Sequence, residues 1–437
     1  MELGSQRTNF SLGDERRPTR KEKLPERAYC ADLAAGTRQA TMETMPNGCK
    51  NHITLIGRTN FRNQQRMFGI RQADRRAHMY IIGKTGTGKT TLLESMVRQD
   101  VSAGHGLALF DPHGDLVERV LAWMPEKRRD DLIYFNVPDA SRPLAFNPLE
   151  SLPPAKRAVA ASGMLEVFKK LWADSWGPRS EHVLRNALLA LFDQPEATLA
   201  DILRLLDDAG FRRIAASRVH NAQVRAFWLR EYESYPVRFR AEVVAPVQNK
   251  VGAFLADPIL QNILKQPKSA FDLRRIMDEG RIMLVNLAKG KIGEDAAALL
   301  GAMLVSKVSL AALSRVEVPE RDRRDFYLYL DEFQNFTTLS LASMLSELRK
   351  YRVSMILAHQ YLAQLDLPIR SAILGNAGTI ISFRVGMEDA EILAKEFYPE
   401  FASVDLVSLP NHCIYLRLMV DGVVTSPFSA ETILPVR

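Results

Sequence analysis

The sequence predicts an α/β fold in which a mostly parallel sheet is covered by helices, with an all-helical insertion and a C-terminal β-hairpin. The first observation behind this prediction is that short, continuously apolar runs alternate with helical patterns from about residue 53 onward. Such runs are typical of strands that are buried on both faces, as in a parallel sheet. Seven of them occur, at residues 79–82, 107–110, 132–135, 282–285, 326–330, 355–358 and 379–383.

The second observation is a long interruption of this alternation. Between Pro153 and about Asp278 the sequence shows helical periodicity and no convincing strand. Leu184, Leu188 and Leu191, for example, share one face of a helix. Three tryptophans are expected to fill the core of this region, namely Trp172, Trp176 and Trp228.

These patterns divide the chain into four segments. Residues 1–50 are polar and proline-dotted and are predicted to form a flexible tail. Residues 51–150 and 279–437 are predicted to be the two parts of one core, and residues 151–278 an all-helical domain inserted between them. Near the end, the Asp421-Gly422 dipeptide separates two β-rich runs and predicts a tight hairpin.

Composition limits the class of protein. The 437 residues are 46% hydrophobic and 25% charged, as in a soluble globular protein. The longest apolar run, residues 296–305, is about half as long as a bilayer crossing requires, so no transmembrane helix is predicted. Cys30, Cys49 and Cys413 lie far apart and indicate neither a disulfide framework nor a zinc site. A cytoplasmic location is expected.

The third observation is a glycine-rich loop between the run at 79–82 and a helical pattern. Residues 83–90 read GKTGTGKT and fit the phosphate-binding pattern G-x-x-x-x-G-K-[ST] at every fixed position. The site predicted to cradle ATP comprises Gly83, Lys84, Thr85, Gly86, Thr87, Gly88, Lys89, Thr90 and Thr91. Lys89 is expected to reach the β- and γ-phosphates, and the Thr90 hydroxyl to ligate Mg²⁺. The core is therefore predicted to be a RecA-like P-loop nucleotide-binding fold.

An acidic pair follows the buried run at 326–330. Asp331 is the predicted anchor of the Mg²⁺ ion, and Glu332 is predicted to orient or deprotonate the water that attacks the γ-phosphate. The alternative is a pair of acids that caps the next helix. Gln360, an amide at the end of a strand, is predicted to be catalytic in addition to Lys89 and Glu332, because it can sense the γ-phosphate. The neighbouring His359 is expected to serve packing.

An arginine that neutralises charge on the γ-phosphate is also expected. Spacing alone does not choose among Arg349, Arg352 and Arg384. A further strand end carries Asp111, which could steady either the Mg²⁺ shell or the loop, and His113, which could be a metal ligand or part of a hydrogen-bonded turn.

Two segments carry basic residues that could contact nucleic acid. Residues 50–76 hold seven lysines and arginines against one acid, interleaved with Phe61 and Phe68. The alternatives are a solvated surface or a subunit contact paired with acids elsewhere. Residues 286–293 form a glycine- and lysine-bearing loop, which could contact a phosphate backbone or be an exposed turn.

Taken together these segments resemble the HerA/FtsK superfamily of P-loop motors, and within it the type IV secretion coupling-protein ATPases with their DNA-binding domain. The resemblance covers roughly residues 53–430. It is carried by IGKTGTGKT at 82–90, FDPHGD at 110–115, YLDEF at 329–333, LRKY at 348–351, LAHQ at 357–360, GNAGT at 375–379 and FRVG at 383–386.

The resemblance implies a hexameric ring that hydrolyses ATP between subunits and moves DNA through its centre. In that family the arginine supplied to the neighbouring subunit precedes the glutamine strand, which corresponds to Arg349, with Arg384 as the second choice. An inserted helical domain also occurs in the coupling proteins. Secretion-channel or relaxosome proteins would be the partners, and recruitment to the inner face of the cytoplasmic membrane would replace a membrane anchor.

Three functions are compatible with the sequence. The first is an ATP-dependent DNA pump of a conjugative or type IV secretion-like system. The second is an ATPase that energises protein secretion or channel assembly without moving DNA. The third is a nucleotide-gated binding module with little turnover, which the intact set of Lys89, Asp331, Glu332 and Gln360 disfavours.

Overall fold

In the computed structural model, which describes residues 52–60, 65–150, 152–173 and 176–435, one large sheet organises the chain. The strands are β1 (Ile53–Thr59), β2 (Met67–Arg71), β3 (Met79–Ile82), β4 (Gly106–Asp111), β5 (Leu132–Asn136), β6 (Ile282–Asn286), β7 (Phe326–Leu330), β8 (Val353–His359), β9 (Thr379–Ser382), β10 (Cys413–Arg417), β11 (Met419–Val420), β12 (Val423–Val424) and β13 (Phe428–Thr432). Eleven of them pair in the order β2-β1-β13-β10-β9-β3-β8-β7-β4-β6-β5, and β11 pairs with β12 alone.

The α-helices surround this sheet. They are α1 (Gln72–Arg75), α2 (Lys89–Ser102), α3 (Asp115–Trp123), α4 (Pro154–Leu171), α5 (Pro178–Leu191), α6 (Asp201–Asp207), α7 (Ala209–Arg218), α8 (Ala222–Ala226), α9 (Tyr232–Ser234), α10 (Val237–Ala256), α11 (Pro258–Leu264), α12 (Leu273–Glu279), α13 (Lys289–Ile292), α14 (Glu294–Ser314), α15 (Ser340–Glu347), α16 (Leu367–Asn376), α17 (Met387–Leu393) and α18 (Ser403–Val407).

The predicted fold class is confirmed. The strands from β9 through β5 in the sheet order are parallel to their neighbours, and each of the seven predicted apolar runs is one of them. The remaining four strands extend the sheet in antiparallel fashion beyond β9. The predicted hairpin is also present, with β11 and β12 joined by Asp421 and Gly422, both at positive φ.

Each face of the parallel sheet packs against a different set of helices. On β3, Tyr80 and Ile82 face the helical insertion and α14, whereas Met79 and Ile81 face α2 and α3. This alternation is the two-residue period of a strand, and it explains why both faces are apolar. The strands β3, β8, β7 and β4 are neighbours, so their carboxyl ends lie together at one edge.

Between β5 and β6 the described residues contain helices and no strand. Helix α4 packs along α14, and the apolar side chains of the insertion form one continuous core with a face of the sheet. Trp172 and Trp228 are buried in that core as predicted, and Trp176 packs against it half-buried. The insertion is therefore joined to the rest of the chain through the packing of α4 on α14 and of α12 on β4 and α14.

One helix of the described chain, Glu294–Glu317, is long and apolar enough to cross a membrane by length and composition. Two thirds of its most apolar window is buried inside the protein, where α14 packs against α4 and one face of the sheet. Its apolar composition is thus accounted for by core packing.

Two strands were missed by the sequence analysis. β1 and β2 pair antiparallel, and a glycine in each lies against the backbone of the neighbouring strand. A Cβ on Gly57 would lie 2.3 Å from the carbonyl oxygen of Glu431, and one on Gly69 2.4 Å from that of Thr54. These glycines and the surrounding arginines hide the strand pattern.

Four arginines of the basic segment at 50–76 are paired with acids of the same chain. Ion pairs join Arg58 to Glu431, Arg71 to Asp421, Arg75 to Asp100 and Arg76 to Asp325. Lys50, Phe61 and Arg62 lie outside the described residues, as do the predicted tail at 1–50 and Cys30 and Cys49. The described arginines thus fasten β1, β2 and α1 to the core.

The pair Arg75–Asp100 is completely buried. The Arg75 guanidinium donates to both oxygens of Asp100 at 2.6 and 2.9 Å, and to the hydroxyls of Thr54 and Tyr329. Burial alone would raise the pKa of Asp100, but the facing guanidinium holds that pKa well below its usual range. Of the nitrogens of this guanidinium, only the Nε finds no hydrogen-bond partner among the described residues. A paired buried charge of this kind is tolerated, whereas one partner left alone is costly.

We therefore expect Asp100→Asn to lower the free energy of unfolding by about 3–5 kcal/mol, because it leaves the buried charge of Arg75 uncompensated. Chemical denaturation followed by circular dichroism would measure it. The matched control is Glu126→Gln, which removes an exposed pair with Arg129 and is expected to cost at most about 1 kcal/mol. Equal stability of the two variants would contradict this account.

Candidate nucleotide and magnesium site

The glycine-rich loop joins β3 to the first turn of α2 at the carboxyl edge of the sheet. Gly86 and Gly88 have φ values of +76° and +119°, which favour glycine. Gly83 faces β9, where a Cβ would lie 2.5 Å from the Cβ of Phe383. The loop thus takes the shape of a phosphate cradle, with Lys84, Thr85 and Gly86 exposed to solvent.

Neighbouring segments hold this loop in place. The backbone N–H of Lys84 donates to the carbonyl of Arg384 at 2.8 Å, and that of His412 donates to the carbonyl of Thr87 at 2.8 Å. The Thr87 hydroxyl closes the loop by donating to the Lys84 carbonyl at 2.7 Å. The contact between His412 and Thr87 was not predicted from the sequence, because the two residues are more than 300 positions apart.

Lys89 lies at the start of α2, buried beneath the loop. Its ammonium group donates to the carbonyl oxygens of Gly83 at 2.5 Å and Lys84 at 3.2 Å. Burial lowers the pKa of Lys89, while the carboxylates of Glu332 and Asp331 act in the opposite direction. Thr90 and Thr91 follow it in the first turn, half-buried. A phosphate in the cradle would replace the loop carbonyls as partner of the ammonium group.

Three carboxylates lie together at the ends of β4 and β7. Asp331 is buried, and burial, followed by the charges of Asp111 and Glu332, raises its pKa to about 7. Asp111 accepts the backbone N–H groups of His113, Leu116 and Val117, so it caps the beginning of α3. These contacts steady the turn that follows β4, and both predicted roles of Asp111, at the Mg²⁺ shell and at the phosphate loop, stay predictions. His113 is exposed within the resulting turn.

Glu332 is held in an unusual backbone conformation. Its φ of +44° and ψ of +50° are left-handed, a conformation that costs a non-glycine residue on the order of 1–2 kcal/mol. Both carboxylate oxygens accept amide donors, Oε1 from Gln360 at 2.9 Å and Oε2 from Gln334 at 2.8 Å. Because a carboxylate only accepts, each amide must turn its NH₂ group toward it. The sequence predicted that Gln360 lies near the γ-phosphate, which stays a prediction, and it gave no sign of the contact between Gln334 and Glu332.

The residues present fit a magnesium ion. Among the described residues no group of three or more His, Cys, Asp or Glu side chains has the arrangement of a protein-only metal cage. Mg²⁺ bound with a nucleotide needs few protein ligands, because phosphates and water supply the rest. Thr90 and Asp331 are the side chains that would hold it. The raised pKa of Asp331 fits this role, because its buried negative charge lacks a sufficient cationic partner.

His359 serves packing, as expected. Its ring is fully buried at the end of β8, with its Nε2 2.5 Å from the Tyr80 hydroxyl and its centroid 4.8 Å from that of Phe333. Burial, followed by the charge of Lys89, lowers the pKa of His359 to about 3. It is therefore a neutral side chain that supports the residue beside it, Gln360.

The candidate arginines lie in different places. Arg384 is at the carboxyl edge, where its guanidinium donates to the Leu409 carbonyl at 3.1 Å and to Asn411 Oδ1 at 3.0 Å. Arg349 is exposed beyond the end of α15, just before β8 begins. Since Gln360 follows the other end of this seven-residue strand, the two are separated by about 23 Å along the sheet. Arg352 precedes β8 directly, at a φ of +56°.

The exposed turn expected at 286–293 is a short helix instead, while contact of this segment with a phosphate backbone stays a prediction. Residues Lys289–Ile292 form the short helix α13, and Asn286 is buried with its amide donating to the Tyr134 hydroxyl at 3.2 Å. Lys289 pairs with Glu294 at 3.3 Å, while Lys291 remains exposed. The segment is an ordered helical connection rather than an open turn.

Comparisons with known proteins agree with this geometry. A family described as type IV secretion-system coupling protein DNA-binding domain matches residues 68–392. The plasmid coupling protein TrwB, solved with a non-hydrolysable GTP analogue, superposes with a TM-score of 0.59 at 16% identity, covering 89% of this chain and 96% of that one. VirB4 of Thermoanaerobacter pseudethanolicus gives a TM-score of 0.59 at 15% identity, covering 87% and 95%. A search of the curated proteins gave no significant match.

A further TrwB structure contains ADP and Mg²⁺, and it too gives a TM-score of 0.59 at 16% identity, covering 89% of this chain and 96% of that one. At these identities the likeness establishes the fold. The family match extends over about three quarters of the chain and includes the glycine-rich loop, the acidic pair, Gln360 and both Arg349 and Arg384.

Proposed function

The chain belongs to the family of type IV secretion-system coupling protein DNA-binding domains, and from this premise we propose that it is an ATPase that drives DNA through a ring of identical subunits. One observation carries the proposal. Lys89, Thr90, Asp331, Glu332 and Gln360 come from three separate parts of the sequence, and the fold brings them to neighbouring strand ends.

The proposed chemistry follows from these positions. The loop N–H groups and Lys89 bind the phosphates of ATP, and Thr90 and Asp331 hold Mg²⁺, which when bound neutralises phosphate charge. Glu332 orients the attacking water and accepts its proton. Gln360, whose amide donates to Glu332 at 2.9 Å, contacts both this water and the γ-phosphate in the proposed scheme. It would report whether that phosphate is present.

The ring is proposed because the site is incomplete in one chain. The Arg384 guanidinium is hydrogen-bonded within its own subunit, and Arg349 lies at the opposite edge of the sheet from Lys89. An arginine at the opposite edge can serve only the site of another molecule, and a head-to-tail contact of this kind closes into a cycle. We propose a hexamer in the cytoplasm, recruited to the inner face of the membrane by secretion-channel or relaxosome proteins.

ATP turnover measured with and without DNA, together with particle mass, tests the proposal. We expect hydrolysis to be stimulated severalfold or more by DNA and the stimulated enzyme to have the mass of a ring. Lys89→Ala, which removes the phosphate contact, is the inactive control. Full activity in a monomer that ignores both duplex and single-stranded DNA would contradict the proposal. Turnover by a ring that ignores DNA would favour an ATPase for protein secretion or channel assembly.

A further inference from the structure

Helix α4 of the insertion touches the segment that follows the acidic pair. The ammonium group of Lys170, near the end of α4, donates to the backbone carbonyl of Gln334 at 2.6 Å and to the hydroxyl of Thr337 at 2.8 Å. Thr337 itself donates to the same carbonyl at 3.1 Å. One lysine of the insertion therefore fixes a turn that lies three residues beyond Asp331.

Gln334 connects this lysine to the acid. Its backbone carbonyl accepts Lys170, while its side-chain NH₂ group donates to Glu332 Oε2 at 2.8 Å. The contacts Lys170–Gln334–Glu332 thus form an unbroken chain from the insertion to the carboxylate. A shift of the turn at Gln334 would move the donor on Oε2 and leave only the Gln360 donor on Oε1.

The other contacts of this turn lie on either side of Gln334, so Lys170 is the contact through which α4 acts on Gln334. Phe333 and Phe336 anchor it on either side of Gln334 by packing against His359 and Phe110. The backbone of Glu332 is in the left-handed region, which is an unfavourable conformation for a residue other than glycine. Phe168 of α4 and Trp172, which directly follows this helix, pack in the core that the insertion shares with the sheet. A displacement of the inserted helices would therefore reach the turn through Lys170.

We infer that Lys170 and Gln334 are positioning residues through which the inserted helices set the orientation of the Glu332 carboxylate. The inference rests on the proposed function, in which Glu332 directs water. Neither residue touches ATP in this scheme, so both act on the rate of hydrolysis and leave nucleotide affinity unchanged. A ligand that moves the insertion would change turnover by this route.

The test compares variants on the same helix. Lys170→Met keeps the aliphatic stem and removes the donor, whereas Lys169→Met alters an adjacent lysine that is also exposed and whose charge acts on Glu181. We expect Lys170→Met to lower kcat about tenfold, with unchanged KM and unchanged affinity for a fluorescent ATP analogue. Lys170→Arg should restore most of the rate because it restores a donor, and Lys169→Met should match the parent.

A double-mutant cycle tests whether the two residues act in series. Gln334→Leu removes the amide donor, and the combination Lys170→Met with Gln334→Leu should be no slower than Gln334→Leu alone. Multiplied effects, a parent-like Lys170→Met, or a loss of nucleotide affinity equal to the loss of kcat would overturn the inference. If Glu332→Gln hydrolyses ATP normally, the role that the proposed function gives to Glu332 fails, and this result is separate from those outcomes.

Discussion

Replacing Glu332 by glutamine is expected to reduce ATP turnover by about 10²- to 10⁴-fold while ATP binding is retained. The substitution preserves shape but removes the group that accepts a proton from water. It also places an amide opposite the NH₂ groups of Gln334 and Gln360, so at least one of the two hydrogen bonds is lost. The loop and Lys89, which bind the phosphates, are untouched.

Single-turnover hydrolysis and equilibrium binding of a fluorescent ATP analogue separate the two effects. Glu332→Asp is an informative second variant, because it keeps the charge but withdraws it by one methylene group from both amides. We expect a comparable loss of turnover from it, since a misplaced base is nearly as ineffective as none. Glu391→Gln, an exposed acid on α17, is the control. Hydrolysis at the parental rate by Glu332→Gln would remove this residue from the mechanism.

The parts of the fold that were predictable are those with local signals. Buried parallel strands have continuous apolar runs, so β3 through β9 could be read from the sequence one at a time. The residues that follow strand ends in a parallel sheet must lie at one edge, which is why Lys89, Asp331 and Gln360 could be grouped without a structure.

What the sequence did not reveal depends on contacts between distant segments. β1 and β2 have glycines at sites of close backbone approach, so their strand pattern is broken. Gln334 has no distinguishing neighbour in the sequence, and its importance comes from the left-handed backbone of Glu332, which brings its amide back onto the carboxylate. Lys170 is one of two adjacent lysines, and only the packing of α4 distinguishes them.

The three candidate arginines show most clearly what spacing in the sequence cannot decide. Arg349, Arg352 and Arg384 follow or precede predicted strands, and their spacing gave no order of preference. In the structure, Arg384 and Arg349 lie at opposite edges of the sheet. The Arg384 guanidinium donates to a carbonyl and an amide oxygen of its own chain, and its backbone carbonyl accepts the N–H of Lys84 in the phosphate loop. We propose that Arg384 supports that loop. Arg349 is exposed at the other edge, and within the described chain its guanidinium has no ion-pair partner.

We therefore expect Arg349→Ala to lower turnover by about 10³-fold or more, the usual effect of losing an arginine that neutralises a transferring phosphoryl group. Nucleotide binding should persist, because Lys89 and the loop of the same subunit remain intact. Arg384→Ala should also lower activity, but by weakening the phosphate loop and with it the affinity for ATP. Steady-state kinetics and binding isotherms for the two variants distinguish these causes.

Mixing experiments decide whether Arg349 acts on a neighbour. Arg349→Ala subunits keep a complete phosphate site, and Lys89→Ala subunits keep the arginine. A catalytically competent interface forms where the first kind of subunit meets the arginine of the second. In a ring assembled at random from equal parts, about one quarter of the interfaces are of this kind. The control mixes Lys89→Ala with the Lys89→Ala, Arg349→Ala double variant, which cannot form a competent interface at any ratio. Arg384→Ala offers a second comparison, since a residue that supports its own loop cannot be replaced by a neighbour's copy. Because activity in the first mixture requires groups from two chains, its absence at every ratio would mean that catalysis is completed within one subunit.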